Sequence, residues 1–384
     1  MLPYGGMCPQ ATTKRARRAF LSRFPTYSHR AMTHWKHPQA IVLIILLTAA
    51  GCSGNKNIVG PDLCNEPFQR KAFDHHVIGF YPNWKHDVLP VSQIRWDQLT
   101  RVIYAFAIPN TDGSLNTSNL TQADALAEAA RAQGVEVFLS VGGGGSGSDN
   151  FPAMAANATA RRKFVMEIRD YLTAHCFHGV DIDWEHWTKD SNNAPIASEK
   201  ANLIRLLSDL RAELESLDLK MSIDVYPSNW FGQHFDDPVH SLVDYVHVMA
   251  YDFSGPWSAP GPHASYQQAI GSGSGISSTG LSYWTRYRKW PRNKTILGLP
   301  FYGRDFDRDG GIGVAYRDII VQYPEASDAD RVANIYYNGV QTIADKTQFV
   351  VDNGYPGVMI WEISHDTPEA ATSLLHTVDR IANP

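Results

Sequence analysis

Three carboxylates separated by single apolar residues are the feature of this chain best suited to chemistry: Asp181, Asp183 and Glu185 within Val180-Asp181-Ile182-Asp183-Trp184-Glu185. On an extended strand, residues two apart point to the same side, so the three acids share one face. A solvated charged edge fits poorly, because the intervening residues are apolar. Packed carboxylates repel one another unless they share protons or hold a cation. Repulsion raises a pKa, and a general acid working near neutral pH needs a raised one. Acid catalysis is one reading. A metal site is the rival; it would need histidine or further carboxylates from other strands, and the sequence does not place them.

Something must hold those acids in line. Eight short apolar runs read as strands: Val77–Tyr81, Arg101–Ala107, Val135–Val141, Gly179–Asp183, Met221–Tyr226, Tyr245–Tyr251, Thr295–Phe301 and Val358–Trp361. Helix-like segments lie between most of them, among them Gln122–Gln133, Arg161–His175, Glu199–Leu217 and Gln341–Asn353. Strands alternating with helices imply βα units and a parallel sheet. Eight such units fit an α/β fold of the (β/α)8 TIM-barrel type better than an open doubly wound sheet. In such a barrel the active site sits at the C-terminal ends of the strands. The unusual polar and aromatic residues of this chain fall there. The run Gly142–Gly145 lacks the Lys-Ser/Thr of a phosphate cradle, so close backbone packing beside a cleft is expected instead.

His178-Gly179-Val180-Asp181-Ile182-Asp183-Trp184-Glu185 resembles the Asp-Gly-x-Asp-x-Asp-x-Glu signature of glycoside hydrolase family 18, the chitinases and their relatives. Further resemblances follow in order. They are Gly79-Phe80-Tyr81-Pro82-Asn83-Trp84 on the first strand, Ser140-Val141-Gly142-Gly143 on the third and Met249-Ala250-Tyr251-Asp252 on the sixth. Gly298 to Arg304 on the seventh and Trp361-Glu362 on the eighth complete the set. One position departs: His178 stands where the family has its first aspartate, and a shifted pH profile is expected from it.

The resemblance implies hydrolysis of β-1,4 bonds between N-acetylglucosamine units, retaining and assisted by the substrate's own acetamido group. It implies Glu185, Asp183, Asp181 and Tyr251 as catalytic residues, and Asp252, Trp361, Tyr81, Met249, Tyr302 and Arg304 as substrate-binding ones. No cofactor and no metal are implied. Trp230, Trp257 and Trp284 are candidate sugar platforms, and Trp84 of the first-strand motif is a candidate functional residue. An endo-β-N-acetylglucosaminidase cutting N-glycan chitobiose cores is the alternative enzyme. A non-catalytic lectin on the same barrel is a remoter one, since such relatives usually lose the terminal glutamate. The residues between Arg304 and Gly357 leave room for a helix but not for a large domain after strand 7. An open, endo-acting cleft is therefore expected.

The rest of the chain bounds the setting. It has 384 residues, 43% hydrophobic and 19% charged, with a net charge of -5 and no basic face in the mature region, so nucleic acid is not an expected partner. The apolar run Ile41–Leu47 precedes Thr48-Ala49-Ala50-Gly51-Cys52, which resembles a bacterial lipoprotein signal with Cys52 as the lipidated residue. The expected division is a leader over 1–52, a tether and N-terminal segment over 53–75, and a catalytic domain over 76–384. Translation starting at Met32 would give the leader an ordinary length. The expected product is an exported, membrane-anchored monomer. Cys64 and Cys176 then remain as a disulfide pair near the bottom of the barrel.

Overall fold

A computed structural model describes Cys64 and residues 66–308 and 310–384. The expectations for the leader, for Cys52 and for a start at Met32 lie outside the described residues. Eight parallel strands follow one another: β1 (His76–Pro82), β2 (Arg101–Pro109), β3 (Glu136–Gly142), β4 (Gly179–Asp183), β5 (Lys220–Val225), β6 (Tyr245–Val248), β7 (Thr295–Pro300) and β8 (Gly357–Trp361). Each pairs with the next, and β8 pairs with β1, so the sheet closes into a (β/α)8 barrel.

The strands are buried on both faces, which is why they read as near-continuous apolar runs. Their side chains divide by parity. Ile78, Phe80, Ile103, Phe138, Ile296 and Met359 fill the interior, while Val77, Val102, Val137, Val180 and Leu297 pack outward under the helices. The helix Ala158–Ala174 starts at Asn157, whose side chain accepts from the N–H groups of Thr159 and Ala160. In the helix Ala197–Leu214, Leu203, Leu206, Leu207, Leu210 and Leu214 recur every three or four residues and are all fully buried. Each such leucine contributes about 2 kcal/mol relative to an exposed one.

The barrel bottom is closed by charge and by the leading segment. Arg101 is fully buried, pairs with Glu136 at 2.6 Å, and lies between the rings of Phe138 and Tyr245 at 4.0 and 4.2 Å. Arg70 of the leading segment also pairs with Glu136, and the Lys71 N–H donates to Gly134. Cys64 and Cys176 form a disulfide at this end, as expected.

The chain between β7 and the helix Val340–Asp352 differs from the expectation of a helix alone. Tyr302–Asp305, Ile312–Ala315, Arg331–Val332 and Ile335–Tyr336 form a small antiparallel sheet, with a short helix over Tyr316–Gln322. Its strands span two to four residues each, far from a large inserted domain.

Candidate active site

Strand register builds the site from β3 to β6. Ser140, Asp181 and Ser222 are successive register partners across β3, β4 and β5, and Asp224 of β5 is partnered with His247 of β6. Ser140 and Ser222 hydroxyls donate to the two Asp181 oxygens at 2.9 and 2.6 Å. Burial alone would raise the Asp181 carboxyl; His247 and the two serines outweigh it and hold it below its ordinary value. Asp183, two residues on, goes the other way. Burial, then its carboxyl neighbours Glu185, Asp224 and Asp181, push it well above its ordinary value. Glu185 itself is pushed up to about 7, by burial first and by the charge of Asp252 second. The row of three acids therefore holds one ionised member and two that retain protons near neutrality.

Glu185 is fixed by its backbone. Its N–H donates to the Ser148 hydroxyl at 2.9 Å, and its carbonyl accepts from the Tyr226 hydroxyl at 2.7 Å. Ser148 in turn donates to the carbonyls of Gly143 and Asp183. Gly142 must be glycine: its φ is +108°, and a Cβ there would lie 2.2 Å from the Asp183 carbonyl. The glycine run thus serves close backbone approach beside the cleft, as expected.

Asp183 and Glu185 open into a cleft of about 850 Å³ together with Met249, Tyr251, Asp252, Tyr302 and Trp361. Burial raises the Tyr251 phenol well above its ordinary value, so it stays a hydrogen-bond donor. Trp361 lines the cleft and stacks on Phe106 with ring centres 5.7 Å apart. Asp252 accepts from the Tyr302 hydroxyl at 2.6 Å and pairs with Arg304 at 2.6 Å. Burial would raise Asp252, but His263 and Arg304 hold it down at about 2. Arg304 belongs to a neighbouring cavity of about 500 Å³ and reaches the cleft through Asp252.

Some expected residues are elsewhere. Tyr81 is wholly buried outside the barrel interior, stacked on Tyr104, with its hydroxyl donating to Leu89. The alternation of β1 turns its neighbour Phe80 into the cleft instead. Trp284 is fully buried in the outer layer and is no sugar platform. Trp84, Trp230 and Trp257 are 55%, 56% and 53% exposed. Trp84 lines the main cleft, and Trp230 and Trp257 line an adjoining hollow shared with Glu185 and Tyr251. His178 lies at the barrel bottom, where its Nδ1 accepts from the Val137 N–H and its ring packs on Phe68. Burial pushes it down to about 4.

Sequence reasoning missed Ser148, Phe106, Tyr226, Asp224 and His247. It also left the partners of a metal site unplaced, and the structure supplies them: Asp181, Asp224 and His247 bring one atom each to within 4.8 Å of one another. Here His247 Nδ1 is hydrogen-bonded to Asp224 at 3.0 Å and lies 3.4 Å from Asp181. Asp224 and His247 were visible as polar residues of inward parity in apolar strands; their meeting depends on register between two strands.

The family model for glycosyl hydrolases family 18 matches residues 76–366, about three quarters of the sequence. The chain belongs to this family. Among curated relatives, this family 18 chain is 30% identical to a "chitinase-like effector" of Moniliophthora perniciosa over 59% of its own length and 55% of the relative's. It is 28% identical to "Endochitinase 1" of Metarhizium robertsii, over 60% of itself and 62% of that protein. The chain thus spans little more than half the length of these relatives. A crystal structure of a chitinase from Bacteroides thetaiotaomicron superposes with a TM-score of 0.70 at 26% identity, covering 80% of this chain and 96% of that one.

Proposed function

We propose that this glycoside hydrolase cleaves β-1,4 bonds between N-acetylglucosamine units of chitin or its oligomers, with retention and with the substrate's acetamido group as nucleophile. The observation that carries the reading is the convergence of Glu185, Asp183 and Tyr251 on one cleft. Glu185, protonated up to about pH 7, gives its proton to the glycosidic oxygen as the bond to the anomeric carbon breaks. The acetamido oxygen forms the new bond to that carbon. Asp183 orients the acetamido N–H and stabilises the positive charge of the cyclic intermediate, and Tyr251 donates to the acetamido oxygen, aligning it for attack. Glu185, now a carboxylate, takes a proton from the water that reopens the ring. No protein carboxylate has to bond to the sugar.

Trp84 lines the main cleft, and Trp230 with Trp257 the adjoining hollow that shares Glu185. Exposed aromatic surfaces in both hollows favour cutting within a chain over release from one end. Wild-type protein is expected to cleave defined N-acetylglucosamine oligomers internally, and Glu185→Gln to lose at least about a thousandfold in kcat. A Glu185→Gln protein with full activity would overturn the assignment. Turnover of a high-mannose glycopeptide but not of the oligomers would move the substrate to N-glycan cores. We also read the protein as exported and lipid-anchored through Cys52. Incorporation of labelled fatty acid by the precursor, abolished in Cys52→Ser, tests this.

A further inference from the structure

The proton-sharing acids of the barrel mouth number four, and the sequence motif accounts for three. Asp224, on β5, is 2% exposed and lines the cleft beside Asp183 and Glu185, with a carboxyl oxygen within 4.8 Å of one from Asp181 and with His247 Nδ1 against both. Two buried carboxyl groups this close, with no lysine or arginine beside them, keep a proton on one of them. Asp181 already accepts from two serine hydroxyls, as an ionised group does. The proton therefore belongs to Asp224. His247 completes the arrangement: its Nδ1 lies 3.0 Å from Asp224 Oδ1 and 3.4 Å from Asp181 Oδ1, while its Nε2 is buried without a partner against the edge-on ring of Phe80. With carboxyl oxygens as its neighbours, Nδ1 is the protonated nitrogen of this ring.

We propose that Asp224 is a positioning residue for the family 18 reaction. It works as an un-ionised acid that donates its proton to Asp181, steadied by the Nδ1–H of His247, and so leaves the proton of Asp183 free to face Glu185 and its other oxygen free to accept from the acetamido N–H. The inference rests on the catalytic reading above. Without a donor at position 224, Asp181 would turn to Asp183 for its missing hydrogen bond, and Asp183 would be drawn away from Glu185. The groups that face Asp224 are Asp181, Asp183 and Glu185 from β4 and its end, and His247 and Tyr251 from β6 and its end. No lysine or arginine is among them. Burial and the charge of Asp181 both favour the protonated form of Asp224.

Two substitutions separate a proton donor from a charge. Asp224→Asn keeps an N–H that can donate to Asp181. It is expected to hold kcat within about threefold of wild type and to leave the pH profile in place. Asp224→Ala removes the donor and is expected to lower kcat by roughly ten- to a hundredfold, with little change in KM. Asp181, no longer hydrogen-bonded by it, protonates more readily, so the acidic limb of the kcat profile moves to higher pH. If Asp224 works ionised, both substitutions remove a negative charge, both damage activity, and the limb moves to lower pH; that result overturns the proposal. So does an activity lost to a chelator and restored by a divalent cation. A readout independent of turnover is the infrared C=O stretch of an un-ionised carboxyl. At neutral pH it should be present in wild type and in Glu185→Gln, and should lose one component in Asp224→Asn. Its absence at position 224 sinks the inference even if chitin oligomers are cleaved, and its presence stands even if they are not.

Discussion

At the scale of single residues, the acid strand divides its labour by environment rather than by type. Asp181 sits among hydrogen-bond donors and is held low, whereas burial and the charge of Asp252 push Glu185 up to about 7, against 4.5 for an unperturbed glutamate. Two consequences have opposite signs. As pH rises through about 7 the acid loses its proton and kcat should fall, which a pH–rate profile checks. Between pH 4.5 and about 7 the folded protein holds more protons at this site than the unfolded chain, so stability falls as pH rises. Glu185→Gln carries no such term. It should match wild type below pH 4.5 and exceed it above pH 7 by roughly 2–3 kcal/mol, read by denaturant unfolding at the two pH values. His178 argues the converse. It is five positions before Asp183 on an extended strand, about 16 Å away, and its contacts are Val137, Phe68 and the Glu136 cluster at the closed end. The shifted pH profile expected from its identity has no physical route, and His178→Asp should leave both limbs of the profile unmoved.

At the scale of elements, the site depends on how closely β3 and β4 approach. Gly142→Ala would set a methyl group 2.2 Å from the Asp183 carbonyl at a φ of +108°, so the strand ends must part. A loss of about 2 kcal/mol or more in unfolding free energy is expected, with at least about a tenfold fall in kcat. Most elements of this kind were legible. The strands and the four long helices lie within a few residues of where their apolar patterns placed them, because β-branched runs and three-to-four spacing are local signals. What was not legible was non-local. The small sheet after β7 pairs Asp305 with Ile335 across a stretch without alternation. Phe80 and Tyr81 are adjacent rings, and only the closure of the barrel decides which of them faces the cleft. Trp257 and Trp284 are the same residue, yet one is exposed in a loop while the other is core in the short helical segment Tyr283–Tyr287.

At the scale of the molecule, the two ends of the barrel carry different duties. The end at the strand C-termini holds the carboxyls, the tyrosines and the exposed tryptophans. The other end holds the Arg101–Glu136 pair and the disulfide, which closes a loop of 112 residues. Replacing Cys64 and Cys176 by serine should cost about 2–4 kcal/mol in stability, seen as a lower Tm, while kcat at 25 °C stays at the wild-type value because no catalytic group is near. The placement of that disulfide has an orienting effect as well. The described chain is thereby pinned at its start to the end of the barrel opposite Glu185.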